Sequence, residues 1–254
     1  RYILLDPGTG RYPEQAPQRN QLRGTAAHST ASVEDRDQAD PAGPFGWSSL
    51  PESRTETFSA GSTLDLVVGV HSGYERLTPS VTHKRWVVFW KHGRLFVRDC
   101  LEGAGSREAA VNWRVGADFS IEALSPDEVV FRTEDGDRFR IAAPRNPQWS
   151  REIFADDWSP CYGRLEAAPT VRFRAEVEMP CEWASALGCG SVAEPVGNES
   201  LTLLAPARQR GVTAYLDRRL ASSALLCFAE GGKSWQLGPM ECDAQFLAYE
   251  NGPG

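Results

Sequence analysis

From about residue 62 onward, apolar and polar residues alternate with a period of two. In Leu64–Val70 the even positions Leu64, Leu66, Val68 and Val70 share one face. In Thr170–Glu178, Val171, Phe173, Ala175 and Val177 point one way, and Arg172, Arg174, Glu176 and Glu178 point the other. This pattern predicts half-buried antiparallel strands with charge toward water. Lys91-His92-Gly93 parts Trp86–Trp90 from Arg94–Val97, and Glu134-Asp135-Gly136-Asp137 parts Val129–Thr133 from Arg138–Ile141. Glycine between two apolar runs supplies the backbone angle of a tight hairpin. Val212–Phe228 fits one helix or two strands, and two strands are preferred. The expected fold is all-β, an antiparallel β-sandwich, with roughly one-third strand or more and under about one-tenth helix.

The sandwich is expected to span residues 1–205, with 206–254 as its continuation or a small β-rich C-terminal portion. The loop-rich segment 7–58 is rich in Gly, Pro, Gln and Asp, and Ala27–Val33 is its one good strand candidate. A loop-rich stretch of that length in a compact domain is usually functional or disordered. Arg1 is followed at once by Tyr2-Ile3-Leu4-Leu5, which reads as a buried strand, and Asn251–Gly254 reads as a turn. Both ends read as the interior of a longer protein, so the lack of a visible leader carries no meaning.

With 27 Lys+Arg against 34 Asp+Glu, the net charge is −7. An acidic chain lacks the electrostatic footprint of a nucleic-acid binder, although a few local arginines suffice to take an anionic sugar. No stretch approaches the ~18 apolar residues of a membrane span. The six cysteines contain no CxxC pair, which excludes a zinc ribbon or thioredoxin-like motif, and buried free thiols are preferred. No Gly-rich phosphate loop precedes a helix, so nucleotide binding has no support.

Seven stretches, in order, carry a resemblance. They are Leu4–Thr9, Leu22–Thr30, Asp35–Gln38, Pro41–Phe45, His71–Leu77, Val81–Arg85 and Trp158–Gly163. Together they resemble the heparinase II/III-like polysaccharide lyases, from residue 2 to about residue 190. The resemblance implies a two-part enzyme, an α/α toroid followed by an antiparallel sandwich, of which this chain is similar to the sandwich. It implies β-elimination at C4 of a uronic acid in an acidic polysaccharide, in the periplasm or outside the cell. The carboxylate beside C5 must be neutralised, a base must take the C5 proton, and an acid must protonate the leaving oxygen. By resemblance those groups lie in the toroid and in a strand before Asp6, so no catalytic residue maps onto this sequence and this chain alone is expected to be inactive. The alternative is a non-catalytic carbohydrate-binding or structural sandwich.

For Asp6, before Pro7-Gly8, two readings stand. One is a turn carboxylate bonded to its own backbone. The other, implied by the resemblance, is a zinc ligand shared with His28, the third ligand coming from outside this chain. His28 is otherwise a satisfied core histidine. Arg23 and Tyr12 lie in the segment that by resemblance faces the sugar cleft. An Arg fork pairs with a carboxylate or sulfate, and Tyr stacks on a sugar ring; the plainer reading of each is a loop-pinning residue. Trp149 and Trp158 are read as pinning a loop, and His71 and His83 as hydrogen-bonded inside the sandwich. Asp6 and His28 are expected within about one side-chain length of each other at one edge of the sandwich.

Overall fold

Period-two alternation makes strands wherever one face can be buried, and the fold follows it. A computed structural model describes residues 2–11, 16–43, 45–190, 200–205, 211–219, 222–229 and 234–251. Of these, 60% are strand and 4% helix, and the strands form several antiparallel sheets. The chain divides into two units, one of Arg1–Ser120, Arg132–Asp135 and Asn146–Ala184, the other of Ile121–Phe131, Gly136–Arg145 and Ser185–Gly254.

The first unit holds two sets of strands. Ala31–Val33, Ser106–Arg114, Glu166–Glu178 and Ser150–Trp158 form an antiparallel sheet in that order. Ser53–Ala60, Leu64–His71, Thr82–Trp90 and Arg94–Glu102 form an antiparallel meander. The inward positions named from the sequence, Val171, Phe173, Ala175 and Val177, are all buried, as are Leu66, Val68 and Val70. Burying each Val or Phe side chain contributes about 1.5–3 kcal/mol. Across the two sets, the Arg85 guanidinium lies 5.6 Å from the Trp113 ring centre. Trp183 packs on Phe173 and Trp149 with ring centres 4.8 and 4.3 Å apart, so Trp149 is indeed pinned. The Lys91–Gly93 hairpin forms as expected, with Gly93 at φ +100°.

Ser53–Ala60 stands at the end of its meander and is exposed along its whole length. Its register against Leu64–His71 slips between Thr55 and Thr57, which leaves Glu56 as a bulge. Glu56 is ion-paired to Lys84 Nζ at 2.7 Å and Arg54 Nη2 at 2.8 Å.

In the second unit, Leu201–Ala205, Val212–Arg218, Ser223–Ala229 and Phe246–Asn251 form an antiparallel sheet in that order. The ambiguous Val212–Phe228 stretch is therefore two strands. Glu128–Arg132 and Arg138–Ala142 flank the Asp-Gly turn, with Gly136 at φ +94°. Arg140 sits between two acids of this unit, 3.1 Å from Glu128 and 3.3 Å from Asp217.

Three expectations need correction. Segment 7–58 holds more structure than its composition suggests: a helix over Ala16–Arg23 and strands Asp40–Ala42, Gly46–Ser49 and Ser53–Ala60. The helix shows little apolar periodicity because Leu22 is the one large apolar side chain it buries. Its Pro17 sits in the first turn, where a missing N–H costs nothing. Second, Ala27–Val33 is not one strand: Thr25–Ala27 is a 3-10 turn, and only Ala31–Val33 pairs, with Ser106–Arg114. Third, not all the free thiols are buried, for Cys161 and Cys189 are exposed. Among the described residues, no helix is long and apolar enough to cross a membrane.

Candidate functional site

Asp6 is delivered by the segment 2–11, laid across strand ends. Leu5 N–H donates to Arg114 O at 3.0 Å, Gly116 N–H to Ile3 O at 2.9 Å, Ser159 N–H to Pro7 O at 2.8 Å and Gly163 N–H to Gly10 O at 3.1 Å. Gly8 at φ +76° runs so close to Ser159 that a Cβ there would lie 2.3 Å from its carbonyl oxygen. Asp6 Oδ1 accepts the Gly8 N–H at 2.9 Å, the turn contact expected of an Asp before Pro-Gly. Its Oδ2 lies 3.5 Å from His28 Nδ1. The two residues thus meet, as the sequence led us to expect, although Leu4 makes only an isolated bridge, to Val115, rather than a strand.

His28 ends the 3-10 turn, and the segment around it is tied down on all sides. Thr25 N–H donates to Asp37 Oδ1 at 2.6 Å, and Gln38 N–H to Thr25 Oγ1 at 2.7 Å. Asn112 Nδ2 holds Ala26 O at 3.3 Å, and Arg85 Nη1 holds Ser29 O at 2.6 Å. Tyr74, fully buried, donates toward the carbonyls of Ala31 and Arg36 at 3.3 and 3.2 Å. Burial lowers the His28 pKa against the pull of Asp6, and the nearby Arg114 lowers it further. A half-exposed neutral imidazole beside an exposed carboxylate is a nitrogen–oxygen donor pair of the kind divalent metals take. Among the described residues, no group of three or more His, Cys, Asp and Glu side chains is arranged to hold a metal.

Arg23 lies at the end of the Ala16–Arg23 helix. Its fork donates to Gly43 O at 3.0 Å and Gly46 O at 2.6 Å, with the guanidinium 4.1 Å from the Trp47 ring centre. It clamps the short hairpin that follows. Tyr12 lies outside the described residues.

Sequence reading passed over the polar face of the first sheet. Asn112 and Arg114 alternate with Val111 and Trp113 along Ser106–Arg114, and both are fully buried. Arg114 Nη1 binds Asp156 Oδ2 at 2.7 Å. A third structure, a chain of bonded rings, lies under the His28 segment. Gly73 N–H donates to His71 Nδ1 at 3.1 Å, which leaves the His71 proton on Nε2, 2.7 Å from His83 Nδ1. His83 then carries its proton on Nε2, 2.7 Å from Asp99 Oδ1. Arg85 closes the chain with two bonds to Asp99, at 2.6 and 3.0 Å. His71 and His83 are therefore hydrogen-bonded within the fold, as expected. Burial, then His83 and Arg85, depress the His71 pKa to about 4, with Asp99 opposing. Burial works against the Asp99 carboxylate, yet Arg85 and His83 hold it down at about 2.

The sequence model of the family described as heparinase II/III-like, C-terminal matches residues 1–192. No curated protein sequence matches the chain significantly. Among solved structures, the fold is similar to heparan sulfate lyase HepC from Pedobacter heparinus at TM-score 0.67 and 18% identity, over 85% of this chain and 33% of that one. It is also similar to a heparinase III, the BT4657 gene product, at TM-score 0.64 and 13% identity, over 99% of this chain and 34% of that one. The chain therefore spans about a third of the length of these structures.

Proposed function

The chain belongs to the heparinase II/III-like, C-terminal family, and from that premise we propose that it is the sandwich portion of a polysaccharide lyase. Its substrate is a uronate-containing acidic polysaccharide, cleaved by β-elimination, and its setting is the periplasm or the cell exterior. The observation that carries this reading is the family match over residues 1–192, supported by a fold shared with a heparan sulfate lyase. The part played by this chain is to wall the sugar cleft beside an α/α toroid, which supplies the base and acid.

Asp6 and His28 fit a metal as two of its ligands, because an exposed carboxylate oxygen and an imidazole nitrogen already stand 3.5 Å apart. A third ligand would come from outside the described residues. When bound, zinc would supply positive charge near the substrate carboxylate. The residues of the chain do the rest. Gly8 and Ser159 fix the turn that aims Asp6, and Asn112 and Arg85 hold the turn that aims His28.

Release of unsaturated uronate, read by its ultraviolet absorbance on heparan sulfate, hyaluronan and alginate, tests the lyase reading. Protein containing the toroid is expected to turn over at least one of them, and this chain alone none. Robust turnover by this chain alone would show that the proton-transfer groups lie here. Elemental analysis of the toroid-containing protein is expected to find zinc, and Asp6→Ala or His28→Ala to remove it. Zinc retained in both variants would return His28 to a structural role.

A further inference from the structure

Most arginines of the first sheet are spoken for. Arg114 is paired with Asp156, Arg107 with Glu34, and Arg174 with Glu108 at 2.5 Å. Arg172 differs. It lies on the polar face of Glu166–Glu178, opposite Asn112 on one neighbouring strand and Glu152 on the other. Its Nε donates to Oδ1 of the fully buried Asn112 at 2.8 Å, and its guanidinium lies 5.2 Å from the Phe154 ring centre. These two contacts fix the plane of the guanidinium. Among the described residues, its two terminal nitrogens have no hydrogen-bond acceptor and it makes no ion pair, although Glu152 is its direct cross-strand neighbour. The side chain is half-buried, so a ligand from solvent can reach it.

Asn112 links this arginine to the metal-ligand candidates. The oxygen of its amide orients Arg172, and the nitrogen holds Ala26 O in the turn that ends at His28. A guanidinium with Nε engaged and its face on a ring still offers the fork that matches two oxygens of a carboxylate or sulfate.

We propose that Arg172 is an anion-recognition residue, taking a carboxylate or sulfate of the polysaccharide on the same sheet face as the Asp6–His28 pair. The proposal rests on the reading of the chain as part of a polysaccharide lyase. Its test is titration calorimetry of this chain with a heparan sulfate tetrasaccharide, an unsulfated heparosan tetrasaccharide and the neutral chitotetraose. The wild type is expected to bind the two charged sugars and not the neutral one. Arg172→Gln is expected to weaken binding about tenfold, and Arg172→Lys, which keeps charge without the fork, by an intermediate factor. A loss on both charged sugars assigns the carboxylate, and a loss on heparan sulfate alone assigns the sulfate. Arg174→Gln, which removes a paired arginine, is expected to stay within about twofold. Binding by Arg172→Gln within about twofold of wild type, or an equal loss in Arg174→Gln, overturns the proposal but leaves the lyase reading standing. If the wild type binds neither charged sugar, the proposal falls, while the lyase reading, whose substrate class is wider, is decided by the unsaturated-uronate assay.

Discussion

His28 and His71 are both half-buried, but their nitrogens meet different groups. His28 Nδ1 faces a carboxylate across 3.5 Å, whereas His71 has an N–H donor on one side and an acceptor on the other. A second proton on His71 would have to sit on Nδ1, against the Gly73 N–H, so acid breaks the turn it holds. The sign follows from the two states. Unfolded, His71 takes a proton below its ordinary 6.5; folded, it resists until about 4. Stability is therefore full above 6.5 and falls between 6.5 and 4 as the unfolded chain binds the proton first. Asp99 extends the loss, because its folded carboxylate stays charged from 3.8 down to about 2. Urea midpoints at pH 7.5, 5.5 and 4.0 are expected to decline. In His71→Gln the unfolding free energy at pH 7.5 should drop by about 1 kcal/mol and the decline between 6.5 and 4 should flatten. An unchanged slope would place the acid sensitivity elsewhere. The sequence showed these histidines at the ends of apolar strands, which is enough to call for partners inside. It did not show that the partners are each other, because the pairing of His71 with His83 is a matter of strand register.

The segment 2–11 shows what an element without regular structure achieves. It makes no ladder, yet four backbone bonds to separated parts of the chain hold it, and Asp6 sits between two of them. Gly8→Ala would force a Cβ to within 2.3 Å of Ser159 O and demand a positive φ. It is expected to cost about 1–3 kcal/mol of unfolding free energy, read from urea denaturation. It should also weaken zinc binding by the toroid-containing protein while His28 itself is untouched. Zinc affinity equal to wild type would mean that the turn does not aim Asp6. The encounter of Asp6 and His28 was foreseeable in outline, because Pro7-Gly8 ends one apolar run and Ala27 begins another. The route was not. Both residues are brought to one strand, Ser106–Arg114, by bonds from Arg114 O to the N-terminal segment and from Asn112 to the His28 turn. The helix Ala16–Arg23 escaped notice for a related reason: it contributes one large apolar side chain and two arginines, Arg19 over the Phe45 ring and Arg23 on the carbonyls of Gly43 and Gly46, whose roles depend on where those residues lie.

For the molecule as a whole, net charge said that anions dominate the surface, but not which charges leave it. Arg94, Arg98, Arg107, Arg114 and Arg140 are all buried, which neither net charge nor alternation brings to light. In the second unit, Arg140 depends on Glu128 and Asp217, which are each 1% exposed. Asp217 also faces a second arginine, with Arg219 Nε 3.8 Å from its Oδ2, so Asp217→Asn removes a carboxylate shared by two guanidinium groups and is expected to cost about 3–5 kcal/mol. Hydrogen exchange should then quicken in Val212–Arg218 and Ser223–Ala229; unchanged protection there would mean that the carboxylate is dispensable. Among the described residues, Ser53–Ala60 has a ladder partner only on its Leu64–His71 side, so a row of backbone donors and acceptors faces outward. Such rows recruit strands from other molecules into fibrils. The extra residue at Glu56 throws the spacing of that row out of step and fixes a charge at the break, where an incoming strand would need regular backbone. Deleting Glu56 restores the spacing and removes the charge, and light scattering of the concentrated deletion variant should show self-assembly that the parent chain resists.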